Sequence, residues 1–223
     1  MTSPTVPPDL VLMLLADARL PTAGHTQSAG LEPAVVQGLR AVDVPDYVAL
    51  RLRTVTRVEA ATAVVALHHL RQGLPIADVE TAWAARTPSA AMRATSRSMG
   101  RALLRVVRRL WPDDPSVAAL TPGVSRAVAL AAVADACGLA PVALARLVGY
   151  DDVQTVASAS LKLLPLDPAD VSAWVLGALP LVDRLATEVA PLVSPGAIPA
   201  PGAPMIEAWA ETHAVSTRRL FSA

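Results

Sequence analysis

Apolar residues recur along this chain at the three- and four-residue spacing of helices, and proline and glycine separate one such segment from the next. In the first half the pattern predicts helices at residues 10–18, 28–39, 47–71 and 76–85. Asp9 and Asp46 are placed to cap the first and the third of these helices. Gly73 and Pro75 follow the third helix and are expected to end it.

Proline also marks helix starts in the second half. The expected starts, each with proline as the first helical residue, are Thr87-Pro88, Thr121-Pro122, Ala140-Pro141 and Asp167-Pro168. The helix after Pro88 should end near Trp111. Asp170 falls in the first turn of the last helix, where negative charge suits the helix dipole, and Pro180 is expected to kink or split that helix.

Near the C-terminus, residues 192–204 contain four prolines and two glycines and are interpreted as a linker. A final helix and tail follow at 205–223. The whole pattern predicts an all-α fold, a single-domain bundle of about eight to nine helices over residues 1–223. Composition supports this prediction, because the chain is 53% hydrophobic but only 3% aromatic, and alanine and leucine are strong helix formers.

Charge is unevenly distributed in a chain whose net charge is zero. Residues 81–112 hold seven arginines and no acidic residue. Six of them form a ridge on one predicted helix: Arg93, Arg97, Arg101, Arg105, Arg108 and Arg109. The expected core-facing side is Met92, Met99, Leu103, Val106 and Leu110. The ridge is either an ordinary solvated face or an interaction surface for an acidic partner.

Several function classes are disfavoured by the residues themselves. Zero net charge argues against a general nucleic-acid binder, although a helical regulator that binds nucleic acid through the ridge at 93–109 stays as an alternative function. One cysteine, Cys137, fits a reducing cytoplasm, and it is interpreted as apolar packing. The N-terminus lacks the pattern of a signal peptide, and the apolar run at 127–145 is expected to form two buried helices, not a membrane span.

Metal binding and catalysis find little support. His68 and His69 are adjacent, so on a helix they point about 100° apart and cannot chelate one ion together. In the segment LPTAGHTQSAGLE, at 20–32, the alternative hypothesis of a hydrolase needs His25, Ser28 and Glu32 to converge. Ser28 and Glu32 can share a helix face, but His25 lies before the helix. The pair at 151–152, Asp151-Asp152, interrupts an apolar run and is interpreted as a solvated patch.

The tail STRRLFSA contains the chain's only phenylalanine, Phe221, next to Leu220. An apolar chain end is costly in water unless something covers it. The chain's own core or another subunit could do so.

The segment at 20–32 resembles the N-terminal signature of the UreF family of urease accessory proteins. The matching residues are Leu20, Pro21, His25, Ser28, Gly30, Leu31 and Glu32, while Ala23-Gly24 reverses the usual order. The central helix is similar through Arg93, Ser96, Met99 and Gly100, and the end of the chain through His213, Arg219, Leu220, Phe221 and Ser222. Lys162 stands where the family usually has arginine, and Asp167-Pro168 replaces its usual Gly-Gln.

This resemblance implies an all-α, cytoplasmic homodimer that is not an enzyme. It implies that the chain bridges a UreD-type partner (also called UreH) and the GTPase UreG, tunes GTP hydrolysis and helps deliver nickel to apo-urease. Nickel would be handled transiently, with no stably bound cofactor, no nucleic acid and no membrane. The residues expected to meet partners are Pro21, Gly24, His25, Ser28, Gly30, Glu32, Arg93, Arg97, Arg101, Arg219, Leu220, Phe221 and Ser222. We also expect the tail, 218–222, to become ordered when a partner binds.

Overall fold

The fold is helical throughout the part of the chain that the computed structural model describes, residues 6–17, 20, 26–217 and 219–221. The first helices are α1 (Pro8–Leu15), α2 (Leu31–Val36), α3 (Val44–Arg53), α4 (Val55–Gln72), α5 (Ile76–Arg86) and α6 (Ala90–Leu110). They are followed by α7 (Pro115–Ala118), α8 (Arg126–Ala136), α9 (Pro141–Leu163), α10 (Pro168–Val189) and α11 (Pro204–Ala214). Short 3₁₀ turns lie at Ala41–Asp43 and Pro195–Ala197. The predicted all-α class is confirmed, with two short helices, α2 and α7, that bring the number within the described residues above the expected eight to nine.

Helix α4 lies at the centre of the bundle, surrounded by α3, α5, α8, α9 and α10. Every residue from Ala60 to Leu67 on α4 is at most 1% exposed. Small side chains dominate there, so neighbouring helices approach closely, and α8 is buried in the same way from Ala127 to Ala134. The apolar run at 127–145 therefore forms parts of two packed helices, as predicted. Among the described residues, no helix combines the length and hydropathy needed to cross a membrane.

The long helix predicted at 47–71 is two helices. The chain breaks at Thr54, with φ −121° and ψ −96°, and the Thr54 hydroxyl donates to the carbonyl of Leu50 at 2.7 Å. Asp46 lies inside the first turn of α3 instead of capping a helix, and Asp9 does the same in α1. Apolar periodicity continues across Thr54, which is why the sequence did not reveal the break.

Two of the four expected helix starts are confirmed, at Pro141 and Pro168. The other two helices begin two and four residues later than predicted. In each, a serine further along the chain is the N-cap, and its hydroxyl accepts a hydrogen bond from a backbone amide of the first turn. Ser89 caps α6 by accepting from the amide of Met92 at 3.1 Å, and Ser125 caps α8. Thr87 and Thr121 precede these helices as irregular chain.

Pro180 does not split its helix, which continues from Pro168 to Val189. Proline removes the amide that would bond the carbonyl four residues earlier, that of Leu176. Leu176 is 69% exposed, so water is available to that carbonyl. The helix therefore tolerates the proline on its solvent side.

The proline-rich segment at 192–204 is packed against the bundle. Ile198 is 2% exposed, and the Arg86 guanidinium donates to the carbonyl of Ile198 at 2.6 Å and to that of Gly196 at 3.2 Å. The segment joins α10 to α11 as predicted, but side-chain hydrogen bonds from α5 fix its course.

The buried face of α6 differs from the predicted one. Of the five residues expected to face the core, only Leu103 is buried, and Leu110 is 49% exposed. The buried positions include Ser96, Gly100, Leu103, Leu104 and Val107, a face rotated by about 70° toward the arginines. Close packing explains the rotation, because a Cβ atom at position 100 would lie 2.5 Å from the carbonyl oxygen of Val124.

Candidate partner-binding site

The described part of the signature segment forms a tight turn that leads into α2. Two successive residues adopt left-handed backbone conformations, Ala29 with φ 52° and Gly30 with φ 79°. A side chain at position 30 would also meet the Tyr47 hydroxyl at 2.9 Å. Glycine is therefore required at position 30 on two grounds, while Ala29 adopts a conformation that costs a non-glycine residue roughly 1 kcal/mol.

Two side chains from α3 hold this turn. The Tyr47 hydroxyl and the Arg51 Nη1 both donate to the carbonyl oxygen of Ala29, each at 2.7 Å. These paired hydrogen bonds, one of them from a charged donor, offset the cost of the left-handed conformation. The break at Thr54 ends α3 three residues after Arg51 and separates it from the central helix.

Arg51 is held in turn by Asp152, the second acid of the pair on α9. Its Nε and Nη2 atoms donate to the two carboxylate oxygens of Asp152 at 3.0 and 2.6 Å, and the Thr56 hydroxyl donates to the same carboxylate at 2.8 Å. The two charged side chains are only 8% and 16% exposed. Burial lowers the pKa of Arg51, but the charge of Asp152, the neighbouring Tyr47 hydroxyl and the hydrogen bonds to both together outweigh it, so that pKa lies above its ordinary value.

The interpretation of Asp151-Asp152 as a solvated patch is therefore wrong. Asp151 also forms an ion pair, with the Arg126 Nη2 at 2.8 Å. Both carboxylates point from α9 toward guanidiniums of other helices. The acidic interruption in the apolar run marks a partly buried ionic cluster.

Glu32, at the start of α2, binds the C-terminal tail. Its Oε2 accepts hydrogen bonds from the His213 Nε2 at 3.0 Å and the Phe221 amide at 2.9 Å, and its Oε1 accepts one from the Leu220 amide at 2.5 Å. Glu32 is 8% exposed, so its charge is satisfied almost wholly by these donors. The signature and the tail therefore meet at one carboxylate, and Leu220 and Phe221 are held within the chain itself, contrary to the expectation that the tail becomes ordered when a partner binds.

The two apolar residues of the tail have different environments. Phe221 is 4% exposed, in the chain's own core, and the Lys162 Nζ lies 5.2 Å from the centre of its ring. Leu220 is 64% exposed. Of the two alternatives for burying the apolar tail, the chain's own core or another subunit, the chain's own core buries Phe221. Leu220 is left exposed on the surface.

Of the three residues in the hydrolase hypothesis, the structure describes Ser28 and Glu32, and His25 lies outside the described residues. The imidazole beside Glu32 is that of His213, and the Ser28 hydroxyl accepts from the Glu32 amide at 3.4 Å. Both carboxylate oxygens of Glu32 accept hydrogen bonds from backbone amides or His213, which is a structural role. Within the described residues, no three His, Cys, Asp or Glu side chains cluster as metal ligands.

A cavity of about 160 Å³ lies behind the turn, between α3, α4, α6, α9 and α11. Its polar lining includes Ser28, Arg51, Glu59, Ser96, Arg126 and Asp151. Glu59 accepts a hydrogen bond from the Trp83 indole at 2.8 Å. Burial raises the pKa of Glu59, and the hydrogen bond from Trp83 opposes that rise only in part.

The arginines expected to meet partners are used in different ways. Arg93 donates to the carbonyls of Thr87 and Pro88 at 2.6 and 2.8 Å, and Arg97 lies over the Trp83 ring at 5.4 Å. Arg101 is exposed. Thus two of these three arginines already have contacts within the chain.

The Arg219 Nη1 donates to the carbonyl oxygen of His213 at 3.5 Å. The structure joins the turn that contains Ser28, Gly30 and Glu32 to the tail, because Glu32 accepts hydrogen bonds from the Leu220 and Phe221 amides. It does not bring Arg93, Arg97 and Arg101 into that cluster. Pro21, Gly24, His25 and Ser222 lie outside the described residues. Their proposed contacts with partners stay predictions.

Four residues that build the site were not predicted to belong to it: Tyr47, Arg51, Asp152 and His213. The break at Asp151-Asp152 in an apolar helix was the available signal, because buried acids require partners. Tyr47 and Arg51 gave no signal of their own, since they contact the signature only through tertiary packing.

Comparisons with known proteins identify the family of the chain. The UreF family model matches residues 40–178. The chain is 40% identical over 220 residues to the urease accessory protein UreF of Mycolicibacterium vanbaalenii, covering 95% of this chain and 97% of that protein. It is 38% identical to the protein of that name from Mycobacterium sp. (strain JLS) and 34% identical to that of Mycobacterium tuberculosis (strain H37Rv), with the same coverage. The chain therefore belongs to the UreF family of urease accessory proteins.

Proposed function

We propose that this chain is a non-enzymatic adaptor in urease maturation, which bridges a UreD-type partner and the GTPase UreG while nickel is inserted into apo-urease. The observation that carries the proposal is the joining of the signature turn to the C-terminal tail through Glu32. The hydrogen bonds of Glu32 fix the backbone of the tail against the signature turn, and a rigid surface of this kind loses little conformational entropy when it binds a partner.

Leu220 is the proposed contact residue of this surface. Its amide is fixed by Glu32 while its side chain is 64% exposed, so the backbone is ordered and the apolar group faces outward. An ordered, exposed leucine loses little conformational entropy when a partner covers it. The tail is thus prepared for binding by contacts within the chain.

A second copy of the chain is proposed to bind elsewhere, on the outer faces of α1 and α10. Met13 is 68% exposed and Leu176 is 69% exposed, and Leu179 lies with Met13 in a groove between the two helices. A two-fold interface places the same patch against itself, which an apolar surface tolerates and a row of like charges does not. The homodimer expected from the family would use this face.

The test is co-expression of the chain with UreD and UreG from the same source, followed by size-exclusion chromatography with light scattering. We expect a complex with two copies of this chain. Leu220→Ala should weaken the complex, whereas Val215→Ala, at a residue 82% exposed near the same terminus, should leave it intact. Elution of the unaltered chain alone, with both partners present, would contradict the adaptor function.

Regulation of GTP hydrolysis is tested separately. Phosphate release by UreG is measured with and without the UreD complex of this chain. A changed rate that Leu220→Ala abolishes supports regulation through the tail. An unchanged rate in the intact complex limits the function to assembly.

A further inference from the structure

We propose that three arginines of α6, Arg101, Arg105 and Arg109, form a docking row for an acidic helix on the surface of a partner protein. This surface is separate from the signature and tail, and the inference does not depend on the roles proposed for them.

The row is distinguished by its unpaired charges. The structure describes sixteen arginines, and eleven of them contact carboxylates, carbonyl oxygens or an aromatic ring within the chain. The five without such a contact among the described residues are Arg53, Arg101, Arg105, Arg109 and Arg184. Three of these five lie on a single helix face.

The geometry of the row follows from its spacing. Residues four apart on a helix are about 6 Å apart along its axis, so the three guanidiniums cover about 12 Å. Ala94 and Ser98 precede them on the exposed side, and both are small. Arg108 lies beside the row and donates to the carbonyl of Leu120 at 2.6 Å. No acidic side chain is present anywhere on α6 to neutralise this face.

Like charges four residues apart destabilise a helix by a few tenths of a kcal/mol for each pair. Elsewhere in the described chain arginine is usually given a partner, including on the exposed surface, where Arg40 pairs with Asp43 and Arg146 with Asp183. A face that keeps three free guanidiniums therefore has unused capacity to bind carboxylates. Carboxylates repeated every four residues on a partner helix would match the row one to one.

A protein helix fits the row better than nucleic acid does. The charges extend for only about 12 Å along one straight helix. The one aromatic ring at this end of α6, that of Trp111, is half-buried, so no exposed aromatic is available on the helix to stack on bases. A second copy of the row would repel it. The occupant with complementary chemistry is an acidic helical surface.

The probe is a fluorescein-labelled, alanine-rich helical peptide with glutamate at every fourth position, and its binding is followed by fluorescence anisotropy at low salt. Arg101→Ser with Arg105→Ser should weaken binding about tenfold, the effect of losing about 1.4 kcal/mol. The matched control is Arg53→Ser with Arg184→Ser, which removes the same charge from two other unpaired, exposed arginines. The control should change affinity less than twofold.

Three outcomes would overturn the proposal. One is equal weakening by both double variants, which would mean that only net charge matters. Another is tighter binding of a labelled 20-base-pair DNA duplex than of the peptide, with loss in the row variant, which would indicate a nucleic-acid site. The third is no binding of the peptide by the unaltered chain at low salt. Melting temperatures of the variants are measured alongside to show that both remain folded.

Discussion

The signature–tail site and the arginine row were both candidates for partner binding, and the structure treats them in opposite ways. At the signature–tail site, charged groups point inward and are almost fully satisfied: Arg51 binds Asp152 and Ala29, and Glu32 binds three donors. On the row, Arg101, Arg105 and Arg109 point outward with no such partners in the described chain.

This difference shows that residue type does not decide a charged group's task. The partners of Arg51 lie 22 and 101 positions away in the chain, so that charge is neutralised only where distant segments pack together. The row requires only one helix. Substitutions at the two regions should therefore separate stability from binding.

The largest expected effect is that of Arg51→Ala. It leaves the partly buried Asp152 carboxylate without its ion pair and frees the Ala29 carbonyl from one of its two donors. Breaking a buried pair on one side costs about 3–5 kcal/mol, so we expect the melting temperature to fall by about 10 °C. Calorimetry or thermal circular dichroism measures it.

Arg101→Ala is the control for that substitution, because it removes the same side chain from the outward face. It should change the melting temperature by less than about 2 °C. If the two variants lowered the melting temperature equally, Arg51 would contribute no more to stability than Arg101, which contradicts the prediction.

An intermediate effect is expected for Glu32→Gln. An amide group replaces one oxygen that accepts from backbone donors, so the tail loses at least one charged hydrogen bond, worth about 2 kcal/mol. Exchange of the Leu220 and Phe221 amides should accelerate at least about tenfold in hydrogen–deuterium exchange. Glu188→Gln, at a residue paired with Arg57 on the surface, should leave those amides unchanged.

The smallest effect concerns Glu59. Burial raises its pKa in the folded chain, so its contribution to stability is present at low pH and is lost as pH rises through the folded-state pKa. Glu59→Gln should therefore raise the melting temperature slightly at pH 8, and the difference should vanish below the ordinary glutamate pKa of about 4.3.

The pKa of Glu211 is shifted in the opposite direction from that of Glu59, so the pH dependence of stability is also reversed. Hydrogen bonds from the Ser89 hydroxyl and the Ala91 amide lower its pKa, so its contribution is present at neutral pH and is lost as pH falls through the folded-state value. Glu211→Gln should lower the melting temperature at pH 8 and lose its effect in acid. The same pH trend in both variants would contradict these assignments.

The sequence predicted most where the signal is local. The starts of α9 and α10 followed from residue order alone, because proline fixes the backbone of a first helical turn. It failed at Thr54 and on the buried face of α6. Hydrophobic periodicity reports neither a backbone break nor the close packing of Gly100, where an added Cβ atom would lie 2.5 Å from the Val124 carbonyl oxygen. Asp151 and Asp152 were noticed as unusual but assigned to solvent, since their guanidinium partners lie on other helices.

By itself, the sequence determined the helical class, the family resemblance and the arginine-rich composition of α6, since these depend on composition, on spacing and on motifs short enough to read. Only the tertiary structure decided which charges are used within the fold. It joined Glu32 to residues 181 to 189 positions further along the chain, and it buried Phe221 while leaving Leu220 exposed. Such contacts depend on how distant helices pack, and no local pattern encodes that.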